Sequence, residues 1–368
     1  MDKRFAPVES GSTLTPVTTE TAERDLSRRP RVLPGLPVLL RCEGEVQIGT
    51  DPRHAVVVDD LPPPFVDELL SLDGRHTVAE LGERLAARDT DPAKFLSLLD
   101  ELEEVGLVDE MVPVPSRLSA ETTSRALRTG RSGTGIVATR GRLAVVVHGN
   151  GRIGVAIASM LAAAGVGRVH IVASGRVGPE DVGTGYLETD VGRPRRDAAV
   201  DAVERACGDV RTGWLTSTGA PDMVVLTDSL VPPPQLLNSL MAEGTQHLVV
   251  RVREGTAVVG PLVVPGRTSC VRCSHLHRAD RDGAWPAVAT QLADRTQPAD
   301  VASAAVCAAL AVGQVLAALD PVAVGLSPPT TWNTALEAHP QLGVVERVDC
   351  PPHPSCICGS AKASRPAV

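Results

Sequence analysis

The chain has 368 residues, enough for two or three domains, and a formal net charge of −8. Hydrophobic residues make up 43% of the chain but aromatic residues only 2%, which predicts a core filled by Ala, Val and Leu. Because no segment has a long run of Lys or Arg, the composition argues against broad binding to nucleic acid or to anionic membranes.

The N-terminal segment, residues 1–35, mixes charged residues with Ser, Thr and Pro and has no apolar stretch of the signal-peptide type. We therefore expect a disordered N-terminus and a cytoplasmic protein. Residues 36–110 are predicted to form a small α+β domain with three strands and then three helices. The strands are 38–41, 46–49 and 55–58, and the helices are 65–72, 77–87 and 92–105. Thr77 and Glu80 have the spacing of a capping box, and Pro92 suits a first helical turn.

Residues 111–141 are rich in Pro, Ser, Thr, Gly and Arg, which predicts a linker with one short helix near residues 120–128. From residue 142 to residue 360, apolar runs alternate with Ala-rich helical stretches, as in parallel βαβ units, and residues 361–368 form a tail. Val301–Leu319 is uncharged over a length that could cross a bilayer. Its high Ala content and acidic flanks predict a buried helix instead, and we expect no membrane contact.

A glycine loop follows the first apolar run of this second domain. The run at residues 143–147 ends at His148, the loop contains Gly149, Gly151 and Gly154, and a helical stretch comes next. This order is typical of nucleotide-binding α/β folds, because backbone N–H groups at a helix start can contact a phosphate. The alternative is that the glycines only let the helix pack closely against the sheet.

The glycine loop, residues 163–168 (Ala-Ala-Gly-Val-Gly-Arg) and residues 190–194 (Asp-Val-Gly-Arg-Pro) resemble the ThiF-type adenylyltransferases, relatives of the ubiquitin-activating enzymes. The resemblance covers residues 143–359. It implies a ThiF-like Rossmann-type sheet that binds ATP–magnesium and adenylates the C-terminal carboxylate of a small protein or peptide. It also implies a homodimer, since ThiF-type proteins are commonly dimers.

Several positions that bind ATP in this family differ in this chain. Ala173 stands where an acidic residue binds the ribose, and Asp181 and Thr184 stand where an Asn and an Arg bind the triphosphate. The phosphate-binding Lys corresponds to Arg195, and only the acidic magnesium residue has a clear match, Asp228. Because each lost ionic contact weakens polyphosphate binding strongly, adenylation is not the expected activity. The candidate nucleotide-binding residues are Gly149, Gly151, Gly154, Arg195 and Asp228.

Eight cysteines in a chain without a secretion signal favour metal ligands or buried thiols over disulfides. Two short-spaced pairs can form a closed tetrahedral thiolate site, which is how structural zinc is held. The predicted zinc ligands are Cys270, Cys273, Cys356 and Cys358. Cys350 and His353 are the reserve ligands. The alternatives are independent turn cysteines and a redox CxxC pair, although a redox pair normally opens a helix in a thioredoxin-like unit.

Residues 275–286 and the ending at residues 353–358 resemble the ThiF-like subunits of azole-forming peptide modification systems, the bacteriocin cyclodehydratase or leader-peptide-binding proteins. The resemblance implies that the protein presents a precursor peptide while a separate YcaO-type enzyme spends ATP on cyclodehydration. His275 and His277 receive no role and are interpreted as residues of a solvated loop, because two histidines make no site without a base and a nucleophile.

The three strands and three helices of residues 36–110 resemble the PqqD-like precursor-recognition module, a relative of the winged helix. The resemblance implies that a leader peptide adds as a strand beside the third strand and packs against the third helix, which places a groove between residues 55–58 and 92–105. A DNA-binding winged helix is the alternative. It requires a basic recognition helix, whereas residues 92–105 carry four acidic residues and one Lys.

The leading hypothesis is a non-catalytic ThiF-like scaffold that binds a precursor peptide through residues 36–109 and docks it to a partner enzyme. The alternative is a divergent adenylyltransferase that uses Arg195 and Asp228 with ATP–magnesium. A nicotinamide-dependent reductase is a third class, and it requires the acidic residue that is missing at Ala173.

Overall fold

A computed structural model describes residues 26–213, 219–293, 295–296, 298–320 and 327–360. The chain divides into two units, residues 1–137 and residues 138–368. The predicted disorder of residues 1–25 and the predicted tail at residues 361–368 lie outside the described residues.

The first unit contains two small sheets and four helices among its described residues. Its strands are β1 (Pro30–Val32), β2 (Val38–Cys42), β3 (Glu45–Ile48), β4 (Val56–Val58) and β5 (Val108–Glu110). Its helices are α1 (Pro63–Leu70), α2 (Val78–Ala86), α3 (Pro92–Glu104) and α4 (Ser119–Thr129). Strands β2, β3 and β4 form an antiparallel meander in that order, and β1 pairs with β5. Helices and meander share one apolar core that includes Phe65, Phe95 and Leu99.

The predicted elements of the first unit are confirmed within one or two residues. Thr77 accepts from the backbone N–H of Glu80 at 3.2 Å, and Glu80 accepts from that of Thr77 at 2.7 Å, which completes the capping box. The segment predicted to be disordered is wrong at its end, because residues 30–32 form β1 and pair with β5.

The predicted linker, residues 111–141, holds more structure than the sequence suggested. The short helix is confirmed as α4, and a further helix, α5 (Gly135–Arg140), contains the division between the units. Thr123 on α4 donates to the carbonyl of Pro34 at 2.8 Å, and Ala126 is buried. Small and polar side chains therefore tie α4 into the first unit, and the segment holds one helix more than the single helix that was predicted.

The second unit is built on one seven-stranded sheet with the order β12-β11-β10-β9-β8-β6-β7. The strands are β6 (Ala144–His148), β7 (Arg168–Val172), β8 (Met223–Leu226), β9 (His247–Arg253), β10 (Thr256–Val263), β11 (Thr334–His339) and β12 (Val344–Asp349). The helices are α6 (Arg152–Ala163), α7 (Arg195–Ala206), α8 (Pro234–Ala242), α9 (Val271–Arg281), α10 (Trp285–Leu292) and α11 (Val301–Leu319).

Only half of this sheet follows the predicted parallel βαβ pattern. Strands β7, β6, β8 and β9 are parallel, as expected of a Rossmann-type sheet, whereas β9 to β12 are antiparallel neighbours. The two-residue connection between β9 and β10 imposes the change, because parallel neighbours need a long crossover. The prediction of a Rossmann-type α/β domain with a small N-terminal α+β domain is confirmed.

Small aliphatic side chains fill the core of the second unit, as the composition predicted. Strand β6 is buried from Ala144 to Val147, and α6 packs on the sheet through Ala156, Ile157 and Leu161. Val301–Leu319 is the described helix that has the length and hydropathy of a membrane span. It forms α11 with the predicted bounds and packs into the sheet core through Cys307 and its Ala residues, so the predicted buried helix is confirmed.

Candidate functional site

The glycine loop joins the end of β6 to the start of α6, at the carboxyl edge of the parallel strands. The backbone N–H groups of Asn150 and Gly151 both donate to one carboxylate oxygen of Asp228, at 2.7 and 2.9 Å. Burial raises the pKa of Asp228, while these two N–H groups act in the opposite direction by stabilising the charged form. The loop N–H groups that would meet a phosphate are therefore bonded to a carboxylate of the chain itself.

The three glycines of the loop meet different surroundings. A Cβ added at Gly149 would lie 1.7 Å from Oγ1 of Thr227, and one at Gly154 would lie 3.1 Å from the same atom. A Cβ at Gly151 would have Asp carboxylate oxygens as its nearest neighbours, at 3.7 Å. Close packing therefore accounts for Gly149 and Gly154, whereas a methyl group at Gly151 would make only ordinary van der Waals contacts.

The predicted phosphate contact Arg195 is paired within the protein. Its Nη2 donates to Oδ2 of Asp181 at 2.7 Å, and the same oxygen accepts from the backbone N–H of Gly178 at 2.8 Å. Thr184 donates from its hydroxyl to the carbonyl of Arg152 at 2.9 Å. Two of the positions that differ from the ATP-binding pattern thus bond to their own chain, and one of them, Asp181, neutralises the arginine.

The position that usually binds a ribose carries no acid. Ala173 follows β7 and packs against the core, and the next backbone N–H, that of Ser174, donates to Oδ1 of Asn150 at 2.6 Å. An alanine methyl group has no acceptor for a ribose hydroxyl, which also removes the main support for a nicotinamide-dependent reductase.

The structure brings the four predicted cysteine ligands together. Their Sγ atoms all lie within 4.8 Å of one another. Cys270 lies 3.8 Å from Cys273 and 3.6 Å from Cys356, and Cys273 lies 3.6 Å from Cys358. In a tetrahedral site with Zn–S bonds of about 2.3 Å, neighbouring sulfur atoms are about 3.8 Å apart. The cluster could therefore hold a metal ion such as zinc.

Cys270 is the residue that precedes α9 and Cys273 lies in the first turn of this helix, so this pair opens a helix. That position does not mark a redox unit here, because Cys356 and Cys358 complete a four-sulfur set. The hydrogen bond between the thiols of Cys270 and Cys273 lowers the pKa of Cys273 and raises the pKa of Cys270, so the pair loses its first proton from Cys273 and the remaining thiols would need a cation beside them to ionise.

The reserve ligands Cys350 and His353 are not members of the four-sulfur cluster. Nε2 of His353 lies 2.8 Å from Oδ2 of Asp280, and its Nδ1 accepts from the backbone N–H of Ser355 at 3.1 Å. An accepting Nδ1 places the proton on Nε2, so His353 donates to Asp280 and holds the C-terminal turn beside α9.

The interpretation of His275 and His277 as a solvated loop is wrong, since both lie on α9. Nδ1 of His275 accepts from Nε1 of Trp285 at 3.0 Å, and the two rings stack with centroids 5.7 Å apart. The contact with Trp285 on α10 stabilises a helix that the charged sequence did not indicate.

A groove runs along the first unit between β4 and α3, where the peptide groove was predicted. Strand β4 pairs with β3 on one side, and no described residue pairs with its other side. The cavity at this free edge has a volume of about 730 Å³. Its apolar lining includes Val56, Val58, Phe65, Leu98, Leu102 and Val105. Its charged lining consists of Asp59, Asp60, Asp89, Asp91 and Glu101, with Lys94.

A mixed sheet whose parallel half carries a glycine loop after its first strand defines a nucleotide-binding type of α/β protein. The ThiF family model matches residues 133–358, more than half of the chain, and the chain belongs to that family.

Among curated proteins, the chain is similar to Protein HesA of Nostoc sp. (strain PCC 7120 / SAG 25.82 / UTEX 2576), at 28% identity over 150 residues that cover 38% of this chain and 60% of that protein. It is also 28% identical to the heterocyst Protein HesA of Trichormus variabilis (strain ATCC 29413 / PCC 7937) over 141 residues, which cover 35% of this chain and 53% of that protein. The chain thus spans less than two thirds of the length of these relatives.

Among solved structures, the fold is similar to that of E. coli MccB with MccA-N7isoASN, with a TM-score of 0.65, 15% identity and coverage of 90% of this chain and 99% of that one. MccB with ATP gives a TM-score of 0.65 at 15% identity, covering 89% of this chain and 99% of that one. PaaA gives a TM-score of 0.61 at 16% identity, covering 86% and 98%. At these identities the likeness establishes a shared fold.

Proposed function

We propose that the chain is a ThiF-like scaffold that binds a ribosomal precursor peptide, through its leader segment, in the groove between β4 and α3. The observation that carries the proposal is the unpaired edge of β4 above an apolar cavity. A peptide that adds as a strand to β4 satisfies backbone groups at this edge and places alternate side chains in the cavity. MccB, which shares the fold, is a microcin C7 biosynthetic enzyme solved in complex with N-formylated MccA, and this supports a peptide ligand.

The charge of the groove favours one class of peptide. Five carboxylates and one lysine line it, so its potential attracts Lys and Arg side chains and repels acidic ones. The same charge argues against the DNA-binding alternative, because DNA phosphates would meet these acids. The expected ligand is therefore an extended segment whose apolar residues alternate with, or are flanked by, basic residues.

Peptide binding to the full chain tests the proposal. Fluorescence anisotropy with labelled candidate leader peptides should show binding that Leu98→Asp weakens by about tenfold or more, because it places a charge on the apolar floor. Leu70→Asp, at an exposed leucine outside the groove, is the matched control and should bind like the wild type. Equal binding by the Leu98 variant would refute the assignment of the groove.

Charge reversal gives an independent test. Glu101→Lys in the groove should weaken binding of a basic peptide, and the loss should shrink as salt is added. Glu83→Lys, at an exposed acid on α2 outside the groove, controls for the overall change of charge. If both variants lose affinity equally, net charge rather than the groove determines binding.

In this proposal the nucleotide-type domain is a scaffold, and a partner enzyme of the YcaO type modifies the presented peptide. The pairing of Arg195 with Asp181 and the occupation of the loop N–H groups by Asp228 support a non-catalytic role. Calorimetry with ATP–magnesium should show no tight binding, and the protein should not catalyse pyrophosphate exchange. Affinity purification from the native cell extract should recover the peptide and a modifying enzyme, and sedimentation should show a homodimer.

A divergent adenylyltransferase acting on a peptide or small-protein carboxylate is the second candidate. Membership in the ThiF family and the position of Asp228 beside the glycine loop favour it. Tight ATP–magnesium binding with pyrophosphate exchange, abolished by Asp228→Ala, would establish this activity and overturn the scaffold role.

We also propose that the four-cysteine cluster binds a structural zinc ion. Four thiolates fill a tetrahedral coordination sphere and leave no position for substrate or water. The ion would join the start of α9 to the C-terminal turn at residues 356–358, about 85 positions further along the chain.

A further inference from the structure

Three arginines line one cavity of the second unit, Arg251 on β9 and Arg278 and Arg281 on α9. Val250 and Val252 on β9 pack with α11, so Arg251 between them emerges on the opposite face of the sheet. Arg278 on α9 lies over that face, and both arginines line a cavity of about 380 Å³. This cavity is separate from the glycine loop and from the groove of the first unit.

The carboxylates around this cavity are committed to other partners or are exposed. Glu337 pairs with Arg253 at 3.1 Å, and Asp280 accepts from His353 at 2.8 Å. Asp349 also lines the cavity, but it is exposed on β12 and forms no ion pair with a described residue.

Among the described residues neither Arg251 nor Arg278 forms an ion pair within 4 Å. Glu337, which pairs with Arg253, acts on both only at longer range. Arg251 makes no side-chain hydrogen bond or ion pair there, although it is partly buried. Arg278 lies on the ring of Trp285, with its Cζ 4.6 Å from the ring centroid, which leaves the edge of its guanidinium available. An unpaired cation in a partly buried place is costly, so this arrangement is expected where an anion binds.

The local electrostatics agree with an excess of positive charge. Burial and the neighbouring Arg278 and Arg253 lower the pKa of Arg251 to about 10. Burial and Arg253 also lower the pKa of Arg278. Both side chains nevertheless stay charged at neutral pH, and the repulsion between them raises the free energy of the folded protein.

We propose that this cavity binds an oxyanion group, a carboxylate or a phosphate, between the guanidinium groups of Arg251 and Arg278. Two planar forks with five N–H donors each match the oxygens of such a group. The hydroxyl of Ser274 lines the same cavity and can donate a third hydrogen bond. The site lies within the second unit and does not depend on peptide binding by the first.

Thermal unfolding and calorimetry of the full chain test the proposal with three probes at constant ionic strength. The probes are inorganic phosphate, N-acetylglycine and, as the neutral control, N-acetylglycinamide. We expect the unfolding midpoint to rise with phosphate, N-acetylglycine or both, but not with the amide. A response to phosphate alone identifies a phosphate site, and a response to N-acetylglycine alone identifies a carboxylate site. No response to either anion would overturn the proposal.

Substitutions test whether Arg251 and Arg278 are the residues that bind the anion. Arg251→Met and Arg278→Met should each weaken anion binding by about tenfold or more, because each removes charge-assisted hydrogen bonds. Arg251→Met should also raise the unfolding midpoint in anion-free, low-salt buffer, since it removes an unpaired charge. If Arg251→Met fails to fold, Arg251→Lys keeps the charge without the planar fork and should show the loss of affinity. Arg347→Met, at an exposed arginine on β12, should respond like the wild type. Wild-type anion binding in the Arg251 and Arg278 variants would overturn the site.

Discussion

The backbone N–H of Gly151 donates to the carboxylate of Asp228 at 2.9 Å, across 77 positions of the chain. At a helix start following a glycine loop, such an N–H group is the usual partner of a nucleotide phosphate. Here the strand order places the end of β8 beside β6, so a residue after β8 reaches the loop and supplies the anion. A phosphate at this loop would have to displace a carboxylate that the fold itself positions.

We therefore expect Asp228→Ala to destabilise the protein by about 2 kcal/mol, because two backbone N–H groups would lose a charged acceptor. Asp228→Asn retains one acceptor oxygen and should cost less. Urea denaturation at neutral pH measures both free energies of unfolding. Equal stability of the alanine variant and the wild type would show that water replaces the carboxylate without cost.

The glycines of the loop provide a second prediction with a control built into the motif. Gly149→Ala should cost about 1–3 kcal/mol or more, because its methyl group would overlap Oγ1 of Thr227. Gly151→Ala should be nearly neutral, since φ is −103° and the nearest atoms would lie 3.7 Å away. Urea denaturation of the two variants tests whether Gly149 is required for packing against Thr227 or for the close approach of a ligand to the backbone. Similar losses for both would contradict the packing explanation of Gly149.

Metal analysis of the purified protein tests the cysteine cluster. We expect about one zinc ion per chain, bound through thiolates. Cys273→Ser should lose the ion and lower the unfolding midpoint by roughly 10 °C, the shift expected when a unit of this size loses about 3–4 kcal/mol. Cys42→Ser, at an exposed cysteine, and Cys350→Ser, outside the four-sulfur set, should retain the ion. Loss of zinc in the Cys350 variant would show that the ligand set is wrong.

Local signals explain why much of this structure could be predicted from the sequence. The capping box at Thr77 marks the start of its helix, and the acidic flanks of the uncharged run Val301–Leu319 mark both ends of that helix. Both helices were therefore predicted at the correct positions. The two short-spaced cysteine pairs also predicted the four-thiol cluster, because two such pairs are a common ligand pattern of structural metal sites. Each of these signals depends on spacing within one segment or on an unusual residue type.

The relationships that the sequence did not reveal depend on the order of strands. Asp228 meets Gly151 only because β8 lies beside β6, and Arg251 meets Arg278 only because α9 covers β9. The alternation of Arg251 and Arg253 with valines in β9 was an available signal for a two-faced strand. The helix at His275 was not predicted because its stabilising contact with Trp285 is made across a turn between two helices and leaves no signal in the local sequence.

The buried His247 leads to a prediction about pH. Its side chain is only 1% exposed, Nδ1 donates to the carbonyl of Thr245 at 3.0 Å, and Nε2 has no partner among the described residues. Burial lowers the pKa of His247, and the bond to Thr245 only partly opposes this effect. The folded pKa therefore lies below the unfolded value of about 6.5.

Stability depends on pH here because the folded and unfolded states of the chain bind a proton at His247 with different pKa values. Above about pH 6.5 the ring is neutral in both states, so its contribution to stability is fully present. As the pH falls, the unfolded chain takes up the proton first, and stability is lost by up to about 1.4 kcal/mol per pH unit until the folded pKa is reached. His247→Gln removes this proton uptake. Urea denaturation of wild type and variant from pH 7.5 to pH 5 should show the stability difference between them shifting by about 1 kcal/mol in favour of the variant. A difference that stays constant over this range would mean that His247 is protonated equally in both states.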